Sequence, residues 1–209
     1  MRLKEEDCVT VRTKNRNNLL WNDQLGIGYL RSNGYDYGAD YWEHYINIRQ
    51  DEIGRALTEH RFWLLSTYVD PTLNCDVGIG SGQFVERANC KGFDINPSAI
   101  AWLKNYGSYG DPYVEKFNSL TLWDVLEHLD DPTELLASTN ILLTSLPIFD
   151  GLGYCLKSKH FKPDEHIWYF THDGVQRYLN SFGFEMVYFD DGETLIGRES
   201  IRSYCFRRK

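Results

Sequence analysis

No stretch of the 209 residues approaches the roughly 18 consecutive apolar side chains that a membrane-spanning helix needs. The first seven residues, Met1 to Asp7, carry charge where a secretory leader would be apolar. Cysteine is scarce and unpaired in pattern. Cys8, Cys75, Cys90, Cys155 and Cys205 are the whole set of five, with no C-x-x-C among them, which argues against a disulfide framework and for reduced, mostly buried thiols. Positive charge is also short, with 22 Lys+Arg against 30 Asp+Glu and a net charge of −8. Proteins that grip phosphates usually show the opposite balance on at least one face. The one dense basic run, Arg202, Arg207, Arg208 and Lys209, reads as a solvated terminus. These absences predict a soluble, cytoplasmic chain with no membrane span and no nucleic-acid partner.

What is present is an ordinary globular balance, 42% hydrophobic and 25% charged, with enough length for one domain and a small appendage. Aromatic residues are the excess, at 15%. They crowd residues 21–45, where Trp21, Tyr29, Tyr41, Trp42 and Tyr45 alternate with Gly26, Gly28, Gly34 and Gly38. Glycine at that density interrupts regular elements, so residues 1–50 are expected to form an N-terminal aromatic cap on a domain spanning 51–209. The cap rings Tyr41, Trp42 and Tyr45 suit either closure over a ligand or a packed core stripe.

Beyond the cap, Ile53, Ala56, Leu57, His60 and Leu64 have helical spacing. From residue 72 strands and helices alternate. Strands are expected at 73–77, 92–95, 120–124 and 153–156, with helices over 83–88, after Asn96-Pro97, and from Asp131-Pro132 through Leu142 and Leu143. A helix carrying Val175, Tyr178, Leu179 and Phe182 stops at Gly183, and strands at 184–189 and 202–207 follow with no helix between them. Repeated βα units imply an α/β, Rossmann-like, doubly wound and mostly parallel sheet. The last two strands should form an antiparallel hairpin at its C-terminal edge.

The chemistry concentrates at Cys75-Asp76-Val77-Gly78-Ile79-Gly80-Ser81-Gly82, where a strand ends in an acid and three glycines precede a helix. Glycines turn sharply and bring N–H groups close to a ligand. The spacing is G-x-G-x-G rather than the dinucleotide G-x-G-x-x-G, which disfavours a nicotinamide cofactor. Asp76 would repel phosphate and attract an amine. Asp94, at the end of the second strand, is placed to bind both hydroxyls of a ribose. An adenosine ligand with a cationic tail, S-adenosyl-L-methionine, satisfies all of these features.

On the glycine loop, Gly92-Phe93-Asp94-Ile95 and Leu122-Trp123-Asp124-Val125-Leu126-Glu127-His128-Leu129, the chain resembles class I S-adenosylmethionine-dependent methyltransferases over about Leu73 to Phe206. The segment from Pro163 to Phe170, with Gly183-Phe184, is similar to the small-molecule branch, including bacterial and phage-encoded members. The resemblance implies a methyltransferase acting on a small or medium-sized acceptor through an O or N nucleophile. It implies Gly78, Gly80 and Gly82 along the methionine moiety, Asp76 near its amino group, Asp94 and Ile95 at the nucleoside, and Trp123 and Asp124 beside the bound cofactor. With 30 positions between Asp94 and Asp124, the family's third strand has room only within Tyr113 to Phe117, and Asp111 is the one candidate for an acidic adenine contact.

Asp124-x-x-Glu127-His128 sits past a parallel strand's C-terminal end, where α/β sheets bind ligands. It reads as a general base, as a metal set, or as pocket-shaping and capping residues. The arrangement is similar to the acidic-acidic-His set of ubiquinone O-methyltransferases, where it implies a divalent cation. The assignment adopted is Glu127 and His128 as catalytic residues without a metal. His166 and Tyr169, in the loop after the fifth strand, are the further candidates for acceptor contact. Cys155-x4-His160-x5-His166 offers one cysteine and matches no compact zinc spacing. Two rival functions share the fold: a nucleic-acid methyltransferase, disfavoured by the acidic charge and by Asp124-Val125-Leu126-Glu127 where a Pro-Pro-aromatic run belongs, and a non-catalytic S-adenosylmethionine-binding partner protein.

Overall fold

The computed structural model describes residues 3–14, 17–31, 42 and 52–209. Three short strands open the chain: β1 (Val9–Arg12), β2 (Asn18–Asn22) and β3 (Ile27–Leu30). The expectation of irregular structure among the early glycines is corrected here, since Trp21 and Tyr29 lie in a regular hairpin. Gly26 supplies the left-handed turn residue with φ 67°. Gly28 sits opposite Trp21, where a Cβ would come within 2.7 Å of the indole ring. The glycines here let an aromatic ring lie flat on the strand. Most of the remaining cap, Tyr35 to Tyr45, lies outside the described residues; Trp42 is described and packs 6.2 Å from the ring of Trp102.

Helix α1 (Glu52–Tyr68) follows, then β4 (Asn74–Val77), α2 (Gln83–Ala88), β5 (Lys91–Phe93), α3 (Pro97–Tyr106), β6 (Phe117–Trp123), α4 (Thr133–Ala137) and β7 (Thr139–Pro147). The chain ends with α5 (Leu152–Cys155), β8 (Trp168–Phe170), α6 (His172–Asn180), β9 (Phe184–Asp190), α7 (Gly192–Leu195) and β10 (Ile201–Arg208). Asn96 caps α3 through its side chain, with Pro97 at the first helical position, as its sequence requires.

The main sheet runs β5-β4-β6-β7-β10-β9. β4, β5, β6 and β7 are mutually parallel, and β10 is antiparallel to both β7 and β9. The parallel sheet with a terminal antiparallel pair is therefore present, but α7 lies between β9 and β10, where no helix was expected. Among the described residues no strand lies outside β5; the expected strand at Tyr113–Phe117 is a turn that leads into β6 at Phe117, and a single bridge between Gly92 and Tyr109 occupies that edge. Two further expectations are corrected. The helix after Asp131 ends at Ala137, and Thr139 to Pro147 is a strand. Its run Ile141-Leu142-Leu143 is buried on both faces of the sheet, and such continuous apolar runs also satisfy helical spacing. The expected strand at 153–156 is the short helix α5.

The second sheet, order β1-β2-β3-β8, is wholly antiparallel. Phe149 donates to the Phe170 carbonyl at 2.9 Å and Thr171 to the Gly26 carbonyl at 2.8 Å. The first bond moors the small sheet at the C-terminal end of β7, beside the mouth of the parallel strands, and the second extends the β3–β8 pairing. Leu120, Leu122, Trp168, Phe170 and Tyr178 share one core. Leu64, Leu65, Ile79, Phe84 and Trp123 fill the other face of the main sheet. No helix among the described residues is long and apolar enough to cross a membrane.

A Cβ on Gly174, in the first turn of α6, would lie 2.0 Å from the Gly26 carbonyl oxygen. Gly174→Ala must therefore push the small sheet off α6, and is expected to cost about 1–3 kcal/mol in urea unfolding. An unchanged midpoint would show that the two sheets are not seated on this contact.

Candidate active site

The glycine turn leaves β4 with three left-handed residues, Gly78 at φ 74°, Gly80 at 52° and Gly82 at 74°. L-residues with a Cβ resist that region. Space imposes the same choice at two of them: a Cβ on Gly78 would sit 2.5 Å from Val125, and one on Gly82 2.6 Å from Trp102. Gly78 N donates to the Phe93 carbonyl at 2.8 Å, and Ile79 N to Asp94 Oδ2 at 3.0 Å. Asn96 N donates to Asp94 Oδ1 at 2.8 Å. Asp94 is thereby locked across the crevice between the β4 and β5 exits, with a lone pair remaining on each oxygen for an incoming hydroxyl. Burial raises its pKa, against the pull of those backbone bonds. Ile95 beside it is 69% exposed.

Asp76 lies deeper. Ser119 Oγ donates to Asn74 Oδ1 at 2.8 Å, Asn74 Nδ2 to Thr121 Oγ1 at 2.9 Å, and Thr121 Oγ1 to Asp76 Oδ1 at 2.6 Å. This relay runs across neighbouring parallel strands and satisfies every buried side chain in it. Burial nevertheless lifts the Asp76 pKa to about 7, despite the bond from Thr121.

Asp124 follows β6 in a left-handed conformation, φ 58°, and is tied into a cage of four charges. Arg61 Nη2 reaches its Oδ2 at 2.9 Å, and Arg198 reaches Oδ2 at 2.8 Å and Oδ1 at 3.1 Å. Glu193, whose side chain is fully buried, takes Arg61 at 2.7 and 3.0 Å and Arg198 at 2.5 Å. Burial alone would raise the Asp124 pKa, but Arg198 and Arg61 hold it at about 2. Arg61 also lies 5.2 Å over the Trp123 ring, and Trp123 itself is buried edge-on to Phe84. No sequence motif points to Arg61, Glu193 or Arg198. Arg61 belongs to the buried face of α1, with Thr58, Leu64 and Leu65, whereas Ile53 is exposed. A periodicity that scores only apolar residues turns that helix away from its charged contact.

Glu127 and His128 occupy a 3-10 turn, Leu126–His128, and the structure brings His166 to them. The His128 and His166 rings meet edge-on with centroids 4.7 Å apart. His128 Nδ1 lies 2.9 Å from the Glu165 carbonyl; a carbonyl only accepts, so Nδ1 carries the hydrogen and Nε2 the lone pair. Burial lowers the His128 pKa and takes His166 to about 3, with His128 adding to the effect. Burial, then the charge of Asp124, pushes Glu127 well above the usual carboxylate range. Tyr169 departs from its expected acceptor contact. It lies on β8 of the small sheet rather than in a loop and is fully buried, and its hydroxyl donates to the His166 carbonyl at 3.3 Å. Cys155 is buried in the same cluster as Tyr169 and His160 bonds the Glu199 carbonyl, so neither joins His166. Asp111 accepts from the N–H of Tyr113 within its own turn.

No protein-family model matches the chain, and no curated protein sequence does either. Solved structures do. Magnesium protoporphyrin IX methyltransferase from Synechocystis PCC 6803, with bound SAH, superposes at TM-score 0.60 and 16% identity over 83% of this chain and 96% of that one. A SAM-dependent methyltransferase of Thermotoga maritima, described as a possible histamine N-methyltransferase, gives 0.57 and 15% over 81% and 97%. Another from Archaeoglobus fulgidus gives 0.56 and 16% over 79% and 99%. The chain has the fold of SAM-dependent methyltransferases.

Two outcomes follow from the buried charges. Asp76 ionises near 3.8 when unfolded and near 7 when folded. Between those values the native state holds the extra proton, so its contribution to stability declines as pH rises through the window and levels off above it. Asp76→Asn should therefore gain stability relative to wild type on going from pH 4 to pH 8, by on the order of 1–3 kcal/mol, in ligand-free denaturation curves. Asp124 has the opposite sign, adding stability that is lost only as pH falls towards 2. Glu193→Ala would leave two guanidinium groups sharing one carboxylate, and a loss of about 3–5 kcal/mol is expected, measurable by the same method at pH 7.

Proposed function

We propose that the chain transfers the methyl group of S-adenosyl-L-methionine to an oxygen or nitrogen of a small or medium-sized acceptor. The observation that carries this reading is the pairing of Asp94 with the Ile79 amide at 3.0 Å, which sets a two-oxygen acceptor for a ribose diol beside the three left-handed glycines. The residues fit the cofactor. Gly78, Gly80 and Gly82 offer the methionine moiety backbone without side chains of their own. Asp76 answers the ammonium group, which would draw its proton off. Ile95 offers an exposed apolar side chain next to Asp94 for the adenine, and Trp123 with Asp124 forms the wall towards the acceptor.

When bound, the cofactor supplies a methyl group already activated by a sulfonium. The work left to the protein is alignment and exclusion of water, and orientation of this kind is worth up to roughly 7–11 kcal/mol. Arg61, Glu193 and Arg198 hold Asp124 rigid at the point where β6 ends. Glu127, His128 and His166 gather on the acceptor side, the place to manage the proton that a hydroxyl or ammonium acceptor must lose. Tyr169 acts through the His166 backbone as a positioning residue. The described strands of the 1–50 segment, β1, β2 and β3, join β8 to cover a domain spanning 51–209, and the neighbours' small-molecule acceptors favour a small acceptor over nucleic acid.

Isothermal titration tests this. Saturable one-to-one binding of S-adenosylmethionine and of its demethylated product is expected, weakened at least about tenfold, or about 1.4 kcal/mol, in Asp94→Ala. Absence of binding to either by the wild-type chain would sink the proposal.

A further inference from the structure

Among the described residues, Glu127, His128 and His166 each place one ligand-type atom within 4.8 Å of the other two. The cluster is built rather than accidental. Both carboxylate oxygens of Glu127 are buried with no hydrogen-bond partner, in a residue only 2% exposed. A buried, unsatisfied acceptor pair is costly to fold around, so a cation is the partner that this carboxylate lacks. His128 is anchored through Nδ1 to the Glu165 carbonyl, the outer-shell arrangement that orients metal-binding imidazoles. The backbone of His166 is held by the Tyr169 hydroxyl, and the two rings stand nearly perpendicular, at 85°, converging instead of stacking.

The set differs from the one that the sequence groups together. The carboxylate of Asp124 is taken up by Arg61 and Arg198. Its place is taken by His166, 38 positions beyond His128, delivered by the loop that enters the small sheet.

We propose that Glu127, His128 and His166 bind one first-row divalent ion of the zinc or manganese class, leaving a coordination position open towards the acceptor side. Two imidazoles with a single carboxylate suit such ions better than magnesium or calcium, which prefer oxygen. Donors around a tetrahedral ion at bond lengths of about 2.1 Å stand roughly 3.4 Å apart, so the side chains need close only slightly on the ion. Three protein ligands are the pattern of sites that keep a position for water or substrate. That the open position receives an oxygen of the methyl acceptor rests on the methyl-transfer reading above; the ion site itself does not.

The test uses the full chain, stripped with a chelator and titrated calorimetrically with zinc, manganese and magnesium, with cobalt added separately for its visible spectrum. One zinc or manganese ion per chain is expected, magnesium at least about tenfold weaker, and cobalt bands typical of nitrogen-containing four- or five-coordination. Glu127→Gln and His166→Ala should each weaken binding by more than about tenfold, whereas His160→Ala should leave it within about threefold, placing the ion on this set. Binding of the demethylated cofactor is measured on every sample and reports that each variant is folded. No saturable metal binding with that cofactor binding intact overturns the ion site alone. Metal binding that Glu127→Gln and His166→Ala leave unchanged also overturns it, because the ion then lies elsewhere. Metal binding that obeys the variants while the cofactor fails to bind supports the site and removes the methyl-transfer reading.

Discussion

The backbone of the first βα turn is stitched to the end of the neighbouring strand, and the candidate site depends on that seam. Gly78 N–H to the Phe93 carbonyl and Ile79 N–H to Asp94 join two parallel strands beyond the last regular ladder pair, Val77 with Phe93. The turn can make both bonds only because Gly78 has a left-handed φ and lacks a Cβ that would strike Val125. The same close approach sets the glycine loop against the chain leaving β6. One steric requirement thus brings together the tips of β4, β5 and β6, where an open α/β sheet binds its ligands.

The acceptor side is organised by charge. Two arginines and two acids form a closed, net-neutral cage that spans α1, the end of β6, α7 and the segment before β10. Burying such a set gains little stability over an apolar core, but losing one member is expensive. Its consequence here is geometric: Asp124 is pinned in a left-handed conformation with both carboxylate oxygens bonded to arginine. Glu127 is then left to face His128 and His166, and three neighbouring acidic and imidazole residues in sequence become two separate constellations in space.

Much of this was legible before the fold was known. The glycine turn, Asp94, the capped start of α3 at Asn96 and the closing antiparallel pair follow from local rules, because each is specified by residues within a few positions of one another. The misreadings share a physical cause. Ile141-Leu142-Leu143 reads equally as helix or as a strand buried on both faces, and only its neighbours β6 and β10 decide. Residues 113–116 lack a strand because the chain there turns within its own hydrogen bonds, beginning at Asp111. Gly26 and Gly28 read as breakers until β8 arrives to pair with β3 and the Trp21 ring needs the space.

The sequence by itself determined the nucleotide half of the site, since a tight turn, an acid at a strand end and a capped helix are written in contiguous residues. Only the tertiary structure decided the acceptor half. Arg61, Asp124, Glu193 and Arg198 come from four separate elements, and His166 reaches Glu127 only because the small sheet docks at the end of β7. Charges and imidazoles far apart in the chain carry no local signal of who their partners are; burial in a common, water-poor place is what pairs them.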